Sequence, residues 1–291
     1  MAHASAIVRN RMIRFNDIQN LIIDMDGVLW RGEQPLPRLP EFFDTLRELR
    51  VHFVLATNNA SRTGSQYVQR LLRFGAAVTE DEVLTSPQAT AAWLAANAPQ
   101  ARIFTIGESG LTSELTRAGL DVLAPEDAQQ ATHVVVGIDR EMNYGKLVEA
   151  CLAIRAGAVF IGTNPDVTFP SERGIVPGNG ATLAALEVST GAKPLIVGKP
   201  QPEMMIQALA RMGGDATNTA VLGDRLDTDI LAGRNAGLPT ILVLTGVSGR
   251  DEAETGPIRP DFIFKDIGEV ADQLRASRNT QSAIAPPEKS T

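Results

Sequence analysis

Apolar residues follow two rhythms along this chain. Short unbroken runs recur at Leu21-Ile22-Ile23 and at positions 51–56, 102–106, 133–137, 158–161, 195–197, 220–222 and 240–244. Between them, apolar side chains fall at helical spacing. Phe42, Phe43, Leu46 and Leu49 make one such stripe and Tyr67, Leu71 and Leu72 another; further stripes lie over 144–155, 180–189, 202–212 and 228–236. The compact runs predict strands and the spaced ones helices. Ser61 is expected to cap the helix that carries Tyr67, with Gly75 ending it. The strands show no polar alternation, as expected when helices cover both faces of a sheet. Strand and helix in turn therefore predict an α/β fold with a mainly parallel sheet. The polar stretch RNTQSAIAPPEKST closes the chain, and 277–291 is expected to be a disordered tail.

Composition narrows the function classes. With 44% hydrophobic and 21% charged residues over 291 positions, wholesale disorder and fibrous repeats are excluded. Acidic residues outnumber basic ones, 34 to 27, and a net charge of -7 argues against non-specific binding to nucleic acid or anionic membrane. No apolar run approaches the roughly 18 residues a membrane span needs. The N-terminal stretch is interrupted by Asn10, Arg11 and Arg14 where a signal peptide requires an apolar block. A lone cysteine, Cys151, excludes an intrachain disulfide and fits a reducing compartment. These features predict a soluble cytoplasmic protein with no nucleic-acid or membrane partner; homo-oligomerisation stays open.

In an open α/β sheet, ligands bind beyond the carboxyl ends of the strands. The polar residues placed there are Asp24 and Asp26, then Thr57-Asn58-Asn59, then Lys199 in Gly198-Lys199-Pro200. A last group is Asp224, opening a run that reaches Asp227 and Asp229. Acids, an ammonium, a hydroxyl and amides suit a divalent cation beside a phosphoryl group. Carboxylates are the hard ligands Mg²⁺ demands, and an aspartate can attack phosphorus to form an acyl phosphate. A second acid two residues on can protonate the leaving oxygen and later deprotonate water. Asp227 reads better as a helix N-terminal acid than as a ligand. The 142 residues from Thr57 to Lys199 far exceed one crossover of ~30, so an inserted α/β domain is expected between them.

The motifs Asp24-Met25-Asp26-Gly27-Val28-Leu29, Thr57-Asn58-Asn59, Gly198-Lys199-Pro200 and Gly223-Asp224-Arg225-Leu226-Asp227-Thr228-Asp229-Ile230 together resemble the haloacid dehalogenase (HAD) superfamily, class IIA, NagD-like phosphatases. Gly162-Thr163-Asn164-Pro165-Asp166 and Pro177-Gly178-Asn179-Gly180 look like that family's cap segments. The resemblance spans residues 20–264. It implies a Rossmann-like core in two segments, 1–87 and 194–276, with an α/β cap at 88–193. It also implies Asp24 as nucleophile and metal ligand, and Asp26 as general acid/base and metal ligand through its carbonyl. Lys199 would pair with Asp24 and the phosphate, while Thr57 and Asn58 hold the phosphoryl group with Asn59 beside them. Asp224 would bind the metal directly, with Asp229 completing or orienting the shell. Asn164, Asp166 and Phe169 of the cap are the expected contacts to the leaving group. The function expected is a Mg²⁺-dependent phosphomonoesterase acting on a small phosphorylated metabolite. Phosphoryl transfer to another acceptor and a non-catalytic phospholigand-binding module are the alternatives.

Overall fold

The computed structural model describes residues 14–171 and 174–284. The first run of elements is β1 (Asn20–Ile23), the small hairpin β2 (Trp30–Arg31) and β3 (Gln34–Pro35), α1 (Leu39–Glu48), β4 (His52–Thr57), α2 (Gly64–Arg73), β5 (Val83–Thr85) and α3 (Ser86–Asn97). A second run holds β6 (Arg102–Ile106), α4 (Ser109–Arg117), β7 (Asp121–Val122), β8 (His133–Val136), α5 (Tyr144–Arg155), β9 (Val159–Gly162), β10 (Thr168–Ser171), β11 (Gly174–Pro177), α6 (Asn179–Thr190) and β12 (Leu195–Ile196). The chain continues through α7 (Glu203–Met212) and β13 (Thr219–Gly223). A π-type turn, Leu226–Ile230, leads into α8 (Leu231–Asn235), then come β14 (Thr240–Val243), α9 (Arg250–Thr255), β15 (Phe262–Phe264) and α10 (Ile267–Ile284).

Two parallel sheets result. The first has the order β15-β14-β13-β1-β4-β5, the second β12-β9-β8-β6-β7. From β1 the chain builds outward through β4 and β5, then returns to the other side of β1 with β13, β14 and β15. That reversal makes the β1–β13 boundary the switch point of the first sheet, where a crevice opens beyond the strand ends. In register, Ile23 faces Leu222 on one side and Leu55 on the other. Asp24, Gly223-Asp224 and Thr57 therefore leave the sheet side by side.

The buried strands explain why this edge is fixed. On one face Leu21, Ile23, Phe53 and Leu55 pack with Phe42, Phe43 and Leu46 of α1 and Val270 and Leu274 of α10. On the other, Ile22, Val54 and Val221 join Leu94 of α3 and Met204 and Met205 of α7. That cluster continues into Ile103, Val135 and Ile161 of the second sheet. At about 1.5–3 kcal/mol for each large apolar side chain buried, a slip of one residue in β1 would exchange both faces and is strongly disfavoured.

Four expectations are corrected. The helix after β4 is capped by Thr63, not Ser61: the Thr63 hydroxyl accepts from the Gln66 N–H and the Gln66 amide oxygen accepts in return. Residues 194–197 do not open the second part of the first sheet. Leu195–Ile196 pairs with β9 as the edge of the second sheet, where Ile196 packs on its apolar cluster. The division expected at residue 88 falls inside α3, which packs against β5, α4 and α7 alike. The tail expected from 277 is helical to Ile284. Ser277 is buried in line with Val270 and Leu274, and Arg278 donates to the Ile18 carbonyl at 3.0 Å. Residues 285–291 lie outside the described part of the chain.

Candidate active site

Lys199 organises the crevice. The residue is 3% exposed and the three hydrogens of its ammonium are all committed: to Asp24 Oδ1 at 2.5 Å, Asp229 Oδ1 at 2.7 Å and the Ala56 carbonyl at 3.0 Å. Burial pulls its pKa down, but the two carboxylates overcome this and hold it above the ordinary lysine value. The backbone of Lys199 is fixed from a distance in sequence. The Asn58 amide oxygen accepts from the Lys199 N–H at 2.9 Å, and the Asn58 amide nitrogen donates to the Lys199 carbonyl at 2.9 Å. Thus a side chain at the end of β4 pairs with the segment leaving β12 as another strand would.

Asp229, in the π-type turn, uses both oxygens within the protein. Oδ1 takes Lys199, while Oδ2 accepts from the backbone N–H groups of Asp224 and Arg225 at 3.2 and 3.1 Å. Asp224 is different. Its Oδ2 accepts from the Val247 N–H at 2.8 Å, but its Oδ1 is buried without a hydrogen-bond partner among the described residues. Only glycine fits around this carboxylate: a Cβ on Gly27, whose φ is +84°, would lie 2.6 Å from Oδ2, and one on Gly246 at 1.7 Å.

Asp24, Asp224 and Asp229 offer oxygens within 4.8 Å of one another. Against one ammonium, three carboxylates leave a formal excess of two negative charges. Burial pushes the Asp24 carboxyl well above its usual range, with Lys199 opposing and Asp229 and Asp224 adding to the rise. Burial, then Asp229, pushes Asp224 up to about 7 against the Val247 N–H, Lys199 and Arg225. A doubly negative, all-oxygen cluster with an orphaned buried oxygen fits a hard divalent cation.

The remaining expected residues are distributed as follows. Asp26 is exposed at the mouth, with Oδ1 accepting from the Trp30 indole at 2.7 Å. Thr57 lines the cavity, its hydroxyl oxygen accepting from the Asn59 N–H at 3.0 Å. The Asn59 amide oxygen is engaged by Ser61. Asn58 has no side-chain hydrogen left, since its second amide hydrogen goes to Asp166 Oδ1 at 3.2 Å. Asn164 lines the cavity but is also committed, donating to the Asn58 carbonyl at 2.8 Å and accepting from the Asp166 N–H. Asp166 lines the same cavity, and burial raises its pKa, partly offset by Asn58. Phe169 lies in β10; its side chain is outside the described part of the chain. Asp227 is exposed and pairs with Arg225 at 3.0 Å, away from the three-carboxylate cluster. Sequence reasoning missed Arg140, Arg225, Thr228 and Asn179, which line the same cavity. Arg140 follows β8, so the strand-end rule points to it; it pairs with Glu108 at 2.8 Å.

Residues 21–121 match a family model described as haloacid dehalogenase-like hydrolase, and residues 196–270 match a HAD-hydrolase-like model. The chain is 38% identical over 253 residues to the acid sugar phosphatase of Staphylococcus aureus, covering 87% of this chain and 96% of that protein. Among solved structures it is similar to 4-nitrophenylphosphatase from Thermotoga maritima, with TM-score 0.84, 37% identity and coverage of 89% and 98%. It is likewise similar to a glycerol phosphate phosphatase from Mycobacterium tuberculosis in complex with calcium, with TM-score 0.80, 39% identity and coverage of 87% and 74%.

Proposed function

This chain belongs to the haloacid dehalogenase-like hydrolases, in the NagD-like class IIA branch, and is a phosphatase; from that premise we propose that it hydrolyses a small phosphate monoester, of the sugar or polyol class, through a phosphorylated Asp24 and with Mg²⁺. The observation that carries the reading is the Asp24–Lys199–Asp229 contact beside the orphaned oxygen of Asp224. Such an arrangement holds one carboxylate ready to attack while leaving another for a cation.

Asp24 and Asp224 would hold Mg²⁺ by their carboxylates and Asp26 by its carbonyl, with Asp229 acting from behind because its oxygens are taken. When bound, the ion supplies positive charge that offsets repulsion between nucleophile and phosphate. The Thr57 hydroxyl and the backbone N–H groups around Asn58 orient the phosphoryl oxygens; the Asn58 side chain serves instead to set Lys199. An Asp24 oxygen forms a bond to phosphorus as the ester P–O bond breaks, and Asp26 gives its proton to the departing oxygen. Asp26 then takes a proton from water as that water attacks phosphorus and the bond to Asp24 breaks. Lys199 favours the ionised form of Asp24 against the burial that raises its pKa, and stabilises the charge developing on the phosphoryl group.

The leaving group faces Asp166, Arg140 and the β10–β11 hairpin, supporting recognition by the segment between β6 and β12. Release of inorganic phosphate from a panel of aryl, sugar and polyol phosphates tests the proposal. Activity that is lost in chelator and restored by Mg²⁺ is expected. No phosphate release from any of them, or full activity in excess chelator, would overturn it.

A further inference from the structure

Trp30 is fully buried four residues beyond Asp26, where the chain folds back on itself through the Gly27 N–H to Trp30 carbonyl bond of 2.8 Å. Its indole N–H donates to Asp26 Oδ1 at 2.7 Å. An indole nitrogen can only donate, and a carbonyl-type oxygen accepts better than a carboxyl hydroxyl, so this bond favours Oδ1 as the unprotonated oxygen. The favoured seat of the proton is then Oδ2, which has no protein partner among the described residues and belongs to a side chain lining the catalytic cavity.

The indole is itself held on every side. Tyr67 stacks on it with centroids 6.2 Å apart and planes 15° from parallel, and Phe74 lies at 6.1 Å. The Arg70 guanidinium sits over the ring at 4.4 Å. Arg70 is 4% exposed, with Nε unpartnered among the described residues, one nitrogen bonded to the Gly32 carbonyl and an ion pair to Glu33 at 3.6 Å. A guanidinium over the indole face draws electron density away from the ring nitrogen, which makes the N–H a stronger donor.

We propose that Trp30 is a positioning residue for phosphoryl transfer: its indole N–H fixes the Asp26 carboxyl so that Oδ2 alone delivers the proton to the leaving oxygen and retrieves it from water. The inference rests on the reading of Asp26 as general acid and base. Packing alone would make Trp30 a stability element; the directed N–H is what adds a catalytic consequence.

The test is single-turnover phosphorylation of the intact, Mg²⁺-loaded protein by an alkyl and an aryl phosphate. Two changes are compared: Trp30→Phe, and incorporation of benzothienylalanine at position 30, which keeps the shape of the indole and replaces N–H by sulfur. Losing a hydrogen bond to a charged group predicts a rate loss of about tenfold for the alkyl phosphate, and a much smaller loss for the aryl one. Added to Asp26→Asn, either change should cost nothing further. Equal losses for both substrates from the sulfur analogue, or full additivity with Asp26→Asn, would overturn the inference. The sulfur analogue decides the matter if Trp30→Phe fails to fold. Asp26→Asn alone separates the two levels. If it slows alkyl and aryl phosphates equally, the reading of Asp26 falls; if it discriminates and the Trp30 changes do not, only the role of Trp30 falls.

Discussion

Removing the cation from this site should make stability fall as pH rises. With Asp24, Asp224 and Asp229 around Lys199, burial raises the folded pKa of Asp24 and takes that of Asp224 to about 7. In the unfolded chain an aspartate titrates near 3.9. Between these values the folded state binds more protons than the unfolded one, so the slope of stability against pH is negative. At about 1.4 kcal/mol per pH unit, Asp224 alone costs about 4 kcal/mol by the time both states are ionised. A divalent cation removes that cost but must displace a proton below pH 7. Thermal unfolding followed by circular dichroism, with chelator and with excess Mg²⁺, measures the difference directly. The gap in Tm should be small near pH 5 and widen to about 8 °C near pH 8. Asp224→Asn should flatten it. A gap that stays constant with pH, or is wider near pH 5, would refute the reasoning.

Other consequences follow from single contacts. Lys199→Met leaves Asp24 and Asp229 facing each other unpaired, and should destabilise the metal-free protein by about 3–5 kcal/mol in urea unfolding at neutral pH. The loss should shrink at low pH, where the two acids can take up protons. Asn58→Ala removes both bonds to the Lys199 backbone; kcat should fall about 10-fold or more while the apparent Mg²⁺ affinity changes little, as read from initial rates. Asp166→Ala should alter the ranking of sugar, polyol and aryl phosphates more than it alters single-turnover phosphorylation by the aryl ester. Ca²⁺ should bind yet support turnover poorly, because it is larger and takes looser coordination than Mg²⁺; steady-state rates with each ion check this.

Much of the site was legible because buried parallel strands leave a simple signature. Leu21-Ile22-Ile23 and Ala220-Val221-Leu222 are unbroken apolar runs, so the first polar residues after them, Asp24 and Asp224, stand out as strand-end groups. Short elements carried no such signal: Val83–Thr85 and Phe262–Phe264 are strands only because neighbours complete them. The partner of Leu195–Ile196 is chosen by packing beside β9, which two apolar residues cannot encode locally. The Thr63 cap was readable, since Gln66 lies three residues on, whereas Ser61 lacks such a partner. The engagement of Asn58 with Lys199 was not readable, because it joins side chain to backbone across 141 residues of chain.

The proposed mechanism turns on a covalent phosphoryl group on Asp24. Acid quenching during turnover of an aryl phosphate, borohydride reduction of any acyl phosphate and mass spectrometry of the digested protein would locate it. Conversion of Asp24 to homoserine is expected, with no such product from Asp24→Asn or from protein quenched without substrate. Turnover with no reduced residue, or reduction at a carboxylate other than Asp24, would contradict it.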